Sequence, residues 1–304
     1  MDRGGSIARL PYKLACHDRA GFIVLRRTMV VPMAGTLYIV ATPIGNLEDL
    51  SFRAVRVLRE AARIACEDTR HARRLLDHYG IEKPLVSYHE HNEKERTDEL
   101  LRELEAGRSV ALVSDAGTPL IADPGYRIVH AARERGIPVS PIPGPSAIMA
   151  ALSASGLATD AFLFAGFLPA KAGARRRALE TWQSLEATLV FYEAPHRVVE
   201  SLRAIAEVAG QRRVVVAREL TKIHEEFLDG TAASIADTLE ARPAIKGEFT
   251  ILVARAEPAP PPDPSGIEAE VAALVAAGTP RMDALKAVAR RYGLSKREVY
   301  RRVV

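Results

Sequence analysis

Ser109-Val-Ala-Leu-Val-Ser-Asp-Ala-Gly-Thr-Pro-Leu-Ile-Ala-Asp-Pro-Gly125 is the stretch on which the reading of the fold turns. Val110–Val113 is a short unbroken apolar run, the pattern of a strand buried on both faces. At Ser114 the chemistry changes abruptly to Asp, Gly and Pro, which marks the carboxyl end of that strand. Gly117 permits close backbone approach and Pro119 stiffens the turn. Asp115 is a carboxylate suited to hydroxyls or a cation. Asp123 followed by Pro124 has the form of an N-cap and first-turn pair for a helix over 125–135.

Worked outward, the same unit recurs. Strands are predicted at 36–41, 63–66, 84–88, 109–113 and 138–142, with helices near 51–61, 69–79, 93–107, 125–135 and 145–155. Alternation of this kind predicts an α/β fold with a parallel sheet covered on both faces, which binds ligands at the carboxyl ends of its strands. A second unit is expected over 156–256, with strands at 161–166, 187–192, 213–218 and 248–254 and helices near 174–185, 195–209 and 232–241. The proline-rich run 257–264 reads as an extended linker. In 265–304, Thr279-Pro280 offers a helix start, Gly293 a stop, and Ser295-Lys-Arg-Glu298 a capping box opening a basic last helix, together a helix-turn-helix-like module. Residues 1–34 read as an ill-ordered extension before an N-terminal domain of 35–155.

Composition narrows the classes. A chain of 304 residues, 48% hydrophobic and 26% charged, is neither a disordered polymer nor a fibre. Two cysteines, Cys16 and Cys66, cannot build a disulfide framework, and a reducing cytoplasm is the expected compartment. No apolar run approaches the ~20 residues that span a bilayer. The net charge of +4 is uneven: the first 34 residues and the last 40 each carry +4, leaving −4 between them. Basic ends on an acidic body suit a polyanionic partner.

The loop Ala41-Thr-Pro-Ile-Gly-Asn46 follows the first strand, and neither GxGxxG nor GxxxxGK[ST] occurs there or elsewhere. That disfavours nicotinamide dehydrogenases and P-loop NTPases. Ser146, after the fifth strand, can cap the next helix or face a ligand. Glu67-Asp-Thr-Arg-His71 and Ser87-Tyr-His-Glu-His-Asn-Glu93 end the second and third strands. His89 and His91 point the same way on an extended chain, but no third ligand is spaced to support them and no metal site is expected. Asn92 and Glu95 form a candidate capping box. In Phe191-Tyr-Glu-Ala-Pro-His-Arg197, Glu193 and His196 can supply an acid or base and Arg197 a phosphate clamp. Lys171, Arg175, Arg176 and Arg177 cluster at a helix start, where cations gain nothing from the dipole, which points to a polyanion contact.

Taken in order, TPIGNLEDLSFRA, CEDTRHARRLL, YHEHNE, VSDAGTPLIADPG, PGPSA, FYEAPHR, REL and KGEFTILV, spread over about 35–255, resemble the bacterial 16S rRNA (cytidine 1402-2′-O)-methyltransferases of the tetrapyrrole-methylase fold group. The resemblance implies two α/β domains with S-adenosylmethionine (SAM) in the cleft between them, a small helical C-terminal domain, and a homodimer acting on the small ribosomal subunit. It assigns the cofactor to Pro43, to Asp115, Ala116 and Gly117, to Ser146 and Ala147, and to Tyr192 and Ala217. A ribose 2′-hydroxyl is a weak acid, so a base is required. The candidates are His91, Glu67, Glu193 and His196, with Arg197 holding a phosphate or polarising the hydroxyl. RNA contacts are expected from Lys171, Arg175, Arg176 and Arg177 and from Lys296, Arg297 and Arg301. Two other readings are a methyltransferase acting on a porphyrin- or corrin-like molecule, and a non-enzymatic nucleic-acid regulator that senses SAM.

Overall fold

The computed structural model describes residues 34–256 and 266–303. The expected extension up to residue 33 and the linker 257–264 lie outside the described residues. Contacts divide the chain into two units, the first ending at Ala150 and taking in Glu219–Glu225, the second formed by Ala151–Arg218 with Glu226 onward. The division therefore falls inside a helix, several residues before the expected boundary at 155/156, and a distant loop joins the first unit.

In the first unit, β1 (Leu37–Val40), β2 (Arg63–Cys66), β3 (Leu85–Ser87), β4 (Val110–Val113) and β5 (Val139–Ile142) form one sheet in the order β3-β2-β4-β1-β5. Every pairing is parallel. Pro141 lacks an amide donor and sits in β5 at the sheet's edge, where the missing bond costs least. Helices α1 (Phe52–Glu60) and α2 (Thr69–His78) bury Val57, Leu58, Leu75 and Leu76 on one face, against Ile64, Ala111 and Val113. Helices α3 (Glu93–Glu105) and α4 (Tyr126–Glu134) bury Leu100, Leu101, Leu104 and Ile128 on the other, against Leu37, Val110 and Leu112. Each fully buried leucine contributes about 1.5–3 kcal/mol. Helix α5 (Ala147–Ser155) carries the chain into the second unit.

The second unit orders its strands β6-β7-β10-β8-β9: β6 (Phe162–Phe167), β7 (Thr188–Glu193), β8 (Arg213–Arg218), β9 (Glu226–Thr231) and β10 (Phe249–Val253). Only β6 and β7 run parallel. Helices α6 (Ala172–Trp182), α7 (Val198–Ala209) and α8 (Ala232–Glu240) close a core that includes Leu179, Leu202, Ile205, Ile235 and Leu239 over Phe191, Val216 and Ile251. Strand β9 is absent from the sequence expectation because Asp229 and Gly230 break its apolar pattern. It forms at the sheet edge, where Asp229 takes two hydrogen bonds from Arg213 (2.9 and 2.5 Å).

The C-terminal module has three helices among the described residues rather than the two expected: α9 (Ile267–Ala276), α10 (Arg281–Arg291) and α11 (Lys296–Val303). They share a core of Ile267, Val271, Leu285, Val288 and Val299. The Ser295–Glu298 capping box forms, with Glu298 N donating to Ser295 Oγ at 3.2 Å and Ser295 N to Glu298 Oε2 at 2.8 Å. Pro280 is the N-cap of α10 and lies one position before the first turn it was expected to occupy.

Segment 219–225 joins the first unit through a close backbone approach. Asn46 N donates to Thr221 Oγ1 at 3.1 Å, and a Cβ on Gly45 would lie 2.9 Å from that oxygen, 3.0 Å from Leu220 O and 2.4 Å from Lys222 Cγ. Glu219 and Thr221 both hold positive φ to make this turn. Gly45→Ala is therefore expected to destabilise the protein by about 1–3 kcal/mol, as overpacking does, read as a lower midpoint in urea.

Candidate active site

Three loops meet at the carboxyl edge of the parallel sheet. Thr42, just past β1, exchanges two backbone hydrogen bonds with Gly117, in the loop after β4: Thr42 N to Gly117 O at 2.8 Å and Gly117 N to Thr42 O at 3.1 Å. Thr42 Oγ1 also donates to Ser114 O at 3.2 Å. The loop after β5 joins them, with Thr118 Oγ1 donating to Pro145 O at 3.4 Å and a Cβ on Gly144 falling 3.1 Å from that of Ala41. Pro43, Asp115, Ala116, Gly117, Ser146 and Ala147 are thus brought together on one edge.

The β4 loop is strained. Gly117, Leu120, Ala122 and Gly125 have φ of 77°, 73°, 65° and 135°. For Leu120 and Ala122 this conformation costs on the order of 1–3 kcal/mol each, so the surroundings must hold it. At Gly125 the φ of 135° strains any residue with a side chain, and a Cβ would also press on Leu112 Cδ2 at 2.9 Å, so glycine suits the turn into α4.

The expected capping by Asp123 does not occur. The N-cap of α4 is Gly125, which has no side chain, and the Glu93 carboxylate performs the task from 32 residues away. Its Oε1 accepts from Gly125 N (3.3 Å), Arg127 N (3.2 Å) and the Tyr88 hydroxyl (3.1 Å). The Asn92–Glu95 box is also absent. Asn92 is the N-cap of α3 but makes no side-chain cap bond, because its Oδ1 accepts from His89 N (2.9 Å) and its amide donates to Ser87 O (3.1 Å).

Released from capping, Asp123 joins Glu67 and Asp115 in a group of carboxylates. Asp115 Oδ1 accepts from Asp68 N at 3.2 Å. Burial, then the like charges of Asp115, Asp123 and Asp68, push the Glu67 carboxyl above its ordinary value. Burial raises Asp123 too, aided by Asp115 and opposed by a hydrogen bond from Ser114. Asp68 is drawn the other way, to about 2, by hydrogen bonds from the Arg70 side chain and backbone. Burial, then Asp115 and Asp68, push the Cys66 thiol up to about 12, so it is inert at neutral pH. His91 is exposed, with its ring 5.9 Å from that of His89 in an edge-on contact.

In the second unit, Tyr192, Thr250 and Ala217 lie in register across β7, β10 and β8. Tyr192 packs edge-on to Phe164 and Phe167 at 4.9 and 5.8 Å. Thr250 is a buried polar residue in this row that sequence reasoning missed, although it lies within the quoted KGEFTILV. Glu193 is corrected as a proton acceptor. It is 2% exposed and its oxygens accept from Ser201 Oγ (2.5 Å) and Ala194 N (2.9 Å), with an ion pair to Arg197 Nε at 3.4 Å. Arg197 donates to Leu168 O, so its guanidinium ties two loops together and is not left extended as a phosphate clamp. His196 is exposed beside them.

Arg175 is corrected as an RNA contact. Its side chain is 6% exposed, donating to Ala170 O at 3.4 Å and pairing with Glu200 at 3.2 Å. Arg176 is exposed but paired with Glu180 (2.9 Å) and Glu207 (3.8 Å). Lys171 and Arg177 are exposed, as are Arg297 and Arg301 on α11, while Lys296 is half-buried.

Comparison with known proteins places this geometry. Residues 36–236 match the family model for Tetrapyrrole (Corrin/Porphyrin) Methylases. The ribosomal RNA small subunit methyltransferase I of Mesorhizobium japonicum is 49% identical over 90% of this chain and 92% of its own length. The protein of the same name from Halalkalibacterium halodurans is 48% identical over 88% and 93%. The chain belongs to the ribosomal RNA small subunit methyltransferase I family, within the tetrapyrrole methylases. Among solved structures, diphthine synthase superposes with a TM-score of 0.59 at 15% identity over 72% of this chain and 90% of that one. Uroporphyrin-III-C-methyltransferase from Thermus thermophilus gives 0.53 at 22% over 72% and 94%.

Glu193→Ala leaves Ser201 without its buried acceptor and Arg197 without its buried counter-charge and is expected to cost about 3–5 kcal/mol, seen as a lower thermal midpoint. Glu93→Ala removes the cap of α4 and is expected to cost about 1–2 kcal/mol, with faster hydrogen exchange at Gly125 and Arg127.

Proposed function

We propose that this protein transfers the methyl group of SAM to the ribose 2′-hydroxyl of cytidine 1402 in 16S rRNA of the small ribosomal subunit. The observation that carries the reading is the three-loop edge laced by Thr42, Gly117 and Pro145, in a chain of this family. Its residues fit the donor. Asp115 accepts hydroxyl or amine hydrogens, Gly117 and Ala116 let backbone approach closely, and Ser146 and Ala147 open α5 with small side chains. In the second unit the resemblance points to Tyr192 and Ala217.

SAM supplies a methyl group already activated on a sulfonium, so the chain's task is orientation and proton removal. Glu67 is the proton acceptor best supported by its surroundings: half-buried, at the carboxyl end of β2, and made more basic by burial and by Asp115, Asp123 and Asp68. His91 and His196 are the alternatives, both exposed. Lys171, Arg177, Lys296, Arg297 and Arg301 hold the RNA. No helix among the described residues is long and apolar enough to cross a membrane. The reading places the enzyme in the cytoplasm as a homodimer, which light scattering tests.

Methyl transfer from labelled SAM to 30S subunits lacking this modification is expected to map to a ribose 2′-oxygen. Label appearing only on a tetrapyrrole precursor assayed in parallel overturns the substrate. Glu67 acts as its anion, so the rate rises as pH climbs through its raised pKa. The acid limb of kcat should therefore lie above the ordinary glutamate range and vanish in Glu67→Gln, with kcat lower by about 10²–10⁴-fold.

A further inference from the structure

The helices on the two faces of the parallel sheet differ in charge. Helices α1 and α2 hold six arginines against Glu60 and Asp77, whereas α3 and α4 hold five basic residues against seven acidic ones. Two of the α1–α2 charges are neutralised locally and a third is tethered to a backbone carbonyl. Arg56 pairs with Glu60 at 2.9 Å, Arg70 with Asp68 at 2.9 Å, and Arg59 donates to Tyr79 O at 2.9 Å. Arg53, Arg73 and Arg74 are exposed and have no anionic partner among the described residues.

An aromatic side chain accompanies these cations. Phe52, the first residue of α1, is 98% exposed. An aromatic ring left in water at a helix start forgoes the burial that rewards aromatic side chains elsewhere in the fold. Phe52 and Arg53 begin α1 and Arg70 begins α2, and both helices follow parallel strands. Their N-terminal ends therefore lie at the carboxyl edge that carries the cofactor loops. Arg73 and Arg74 lie farther along the same layer, which the Arg59–Tyr79 bond ties together.

We infer that the α1–α2 face is an RNA-docking surface, on which single-stranded rRNA flanking the target nucleotide lies with its phosphates on Arg53, Arg73 and Arg74 and a base stacked on Phe52. The inference rests on the rRNA reading above and adds a surface that no basic run in the sequence pointed to. Unpaired cations recognise the phosphates and a fully exposed ring recognises an unstacked base, the pairing expected for a single strand. Across the sheet, Arg63, Arg96, Arg108 and Arg135 are instead paired with the carboxylates of α3.

The test measures binding of a fluorescent single-stranded oligonucleotide of the target rRNA region, with SAM affinity, methylation of 30S subunits and molecular mass read in parallel. Replacing Arg53, Arg73 and Arg74 together by alanine is expected to weaken RNA binding at least tenfold. It should also flatten the log–log salt dependence by about 2, at ~0.7 per single-strand phosphate contact. Phe52→Ala is expected to weaken binding by about tenfold with the salt slope unchanged, because stacking releases no counterions. Lys94→Glu with Arg133→Glu, on the opposite face, should weaken binding far less. SAM affinity should be unchanged in all three. RNA affinity unchanged in the α1–α2 variants, an equal loss from the opposite face, or a change in mass showing that this face meets a second copy each overturns the inference. If the wild-type protein methylates 30S subunits while these variants match it, only the docking surface fails. If the wild type neither binds nor methylates rRNA, the proposed function fails and this inference with it.

Discussion

Two backbone hydrogen bonds between Thr42 and Gly117 hold the loops of the first and fourth strands in one register, and the carboxyl edge of the parallel sheet is organised around them. The exchange is possible because Gly117 holds φ of 77° and lets the β4 loop turn back toward β1. From that point the backbone remains irregular as far as Gly125. The conformational cost at Leu120 and Ala122 is borne by anchors at both ends, the Thr42–Gly117 pair at one and Glu93 at the other.

Glu93 and Glu193 illustrate how buried carboxylates serve geometry. Each accepts at least one backbone amide at a bend and a side-chain hydroxyl. Glu93 fixes the start of α4, and Glu193 fixes the turn between β7 and α7. Both are tied to donors that fix a turn, whereas Glu67 is crowded by Asp115 and Asp123 instead. The difference lies in the supply of donors: amide and hydroxyl hydrogens meet Glu93 and Glu193, and like charges surround Glu67.

Most of the first sheet was legible because its strands are short apolar runs closed by Gly, Pro or Asp, with the helical period returning at once. The loops that assemble at its carboxyl edge were legible for the same reason. Strand β9 was not, since an edge strand tolerates Asp229 and Gly230 and so loses the pattern that betrays buried strands. The capping assignments at Asp123 and Asn92 failed because a local motif competes with distant groups. Gly125 leaves α4 without a local cap, and the Glu93 carboxylate is already held beside it by the packing of α3 on the sheet. Arg175 looked like one of four clustered cations, yet the helical period turns it toward the core while Arg176 and Arg177 face water.

The sequence by itself determined the α/β class, the strand-loop-helix order and the family, because these depend on local periodicity and on motifs contiguous in the chain. Only the tertiary structure decided which carboxylate is free for chemistry and which is committed to holding a turn. That division depends on donors and charges brought together from residues tens of positions apart. The cluster of unpaired arginines on α1 and α2 belongs to the same category. It exists only once the two helices are folded side by side onto one face of the sheet.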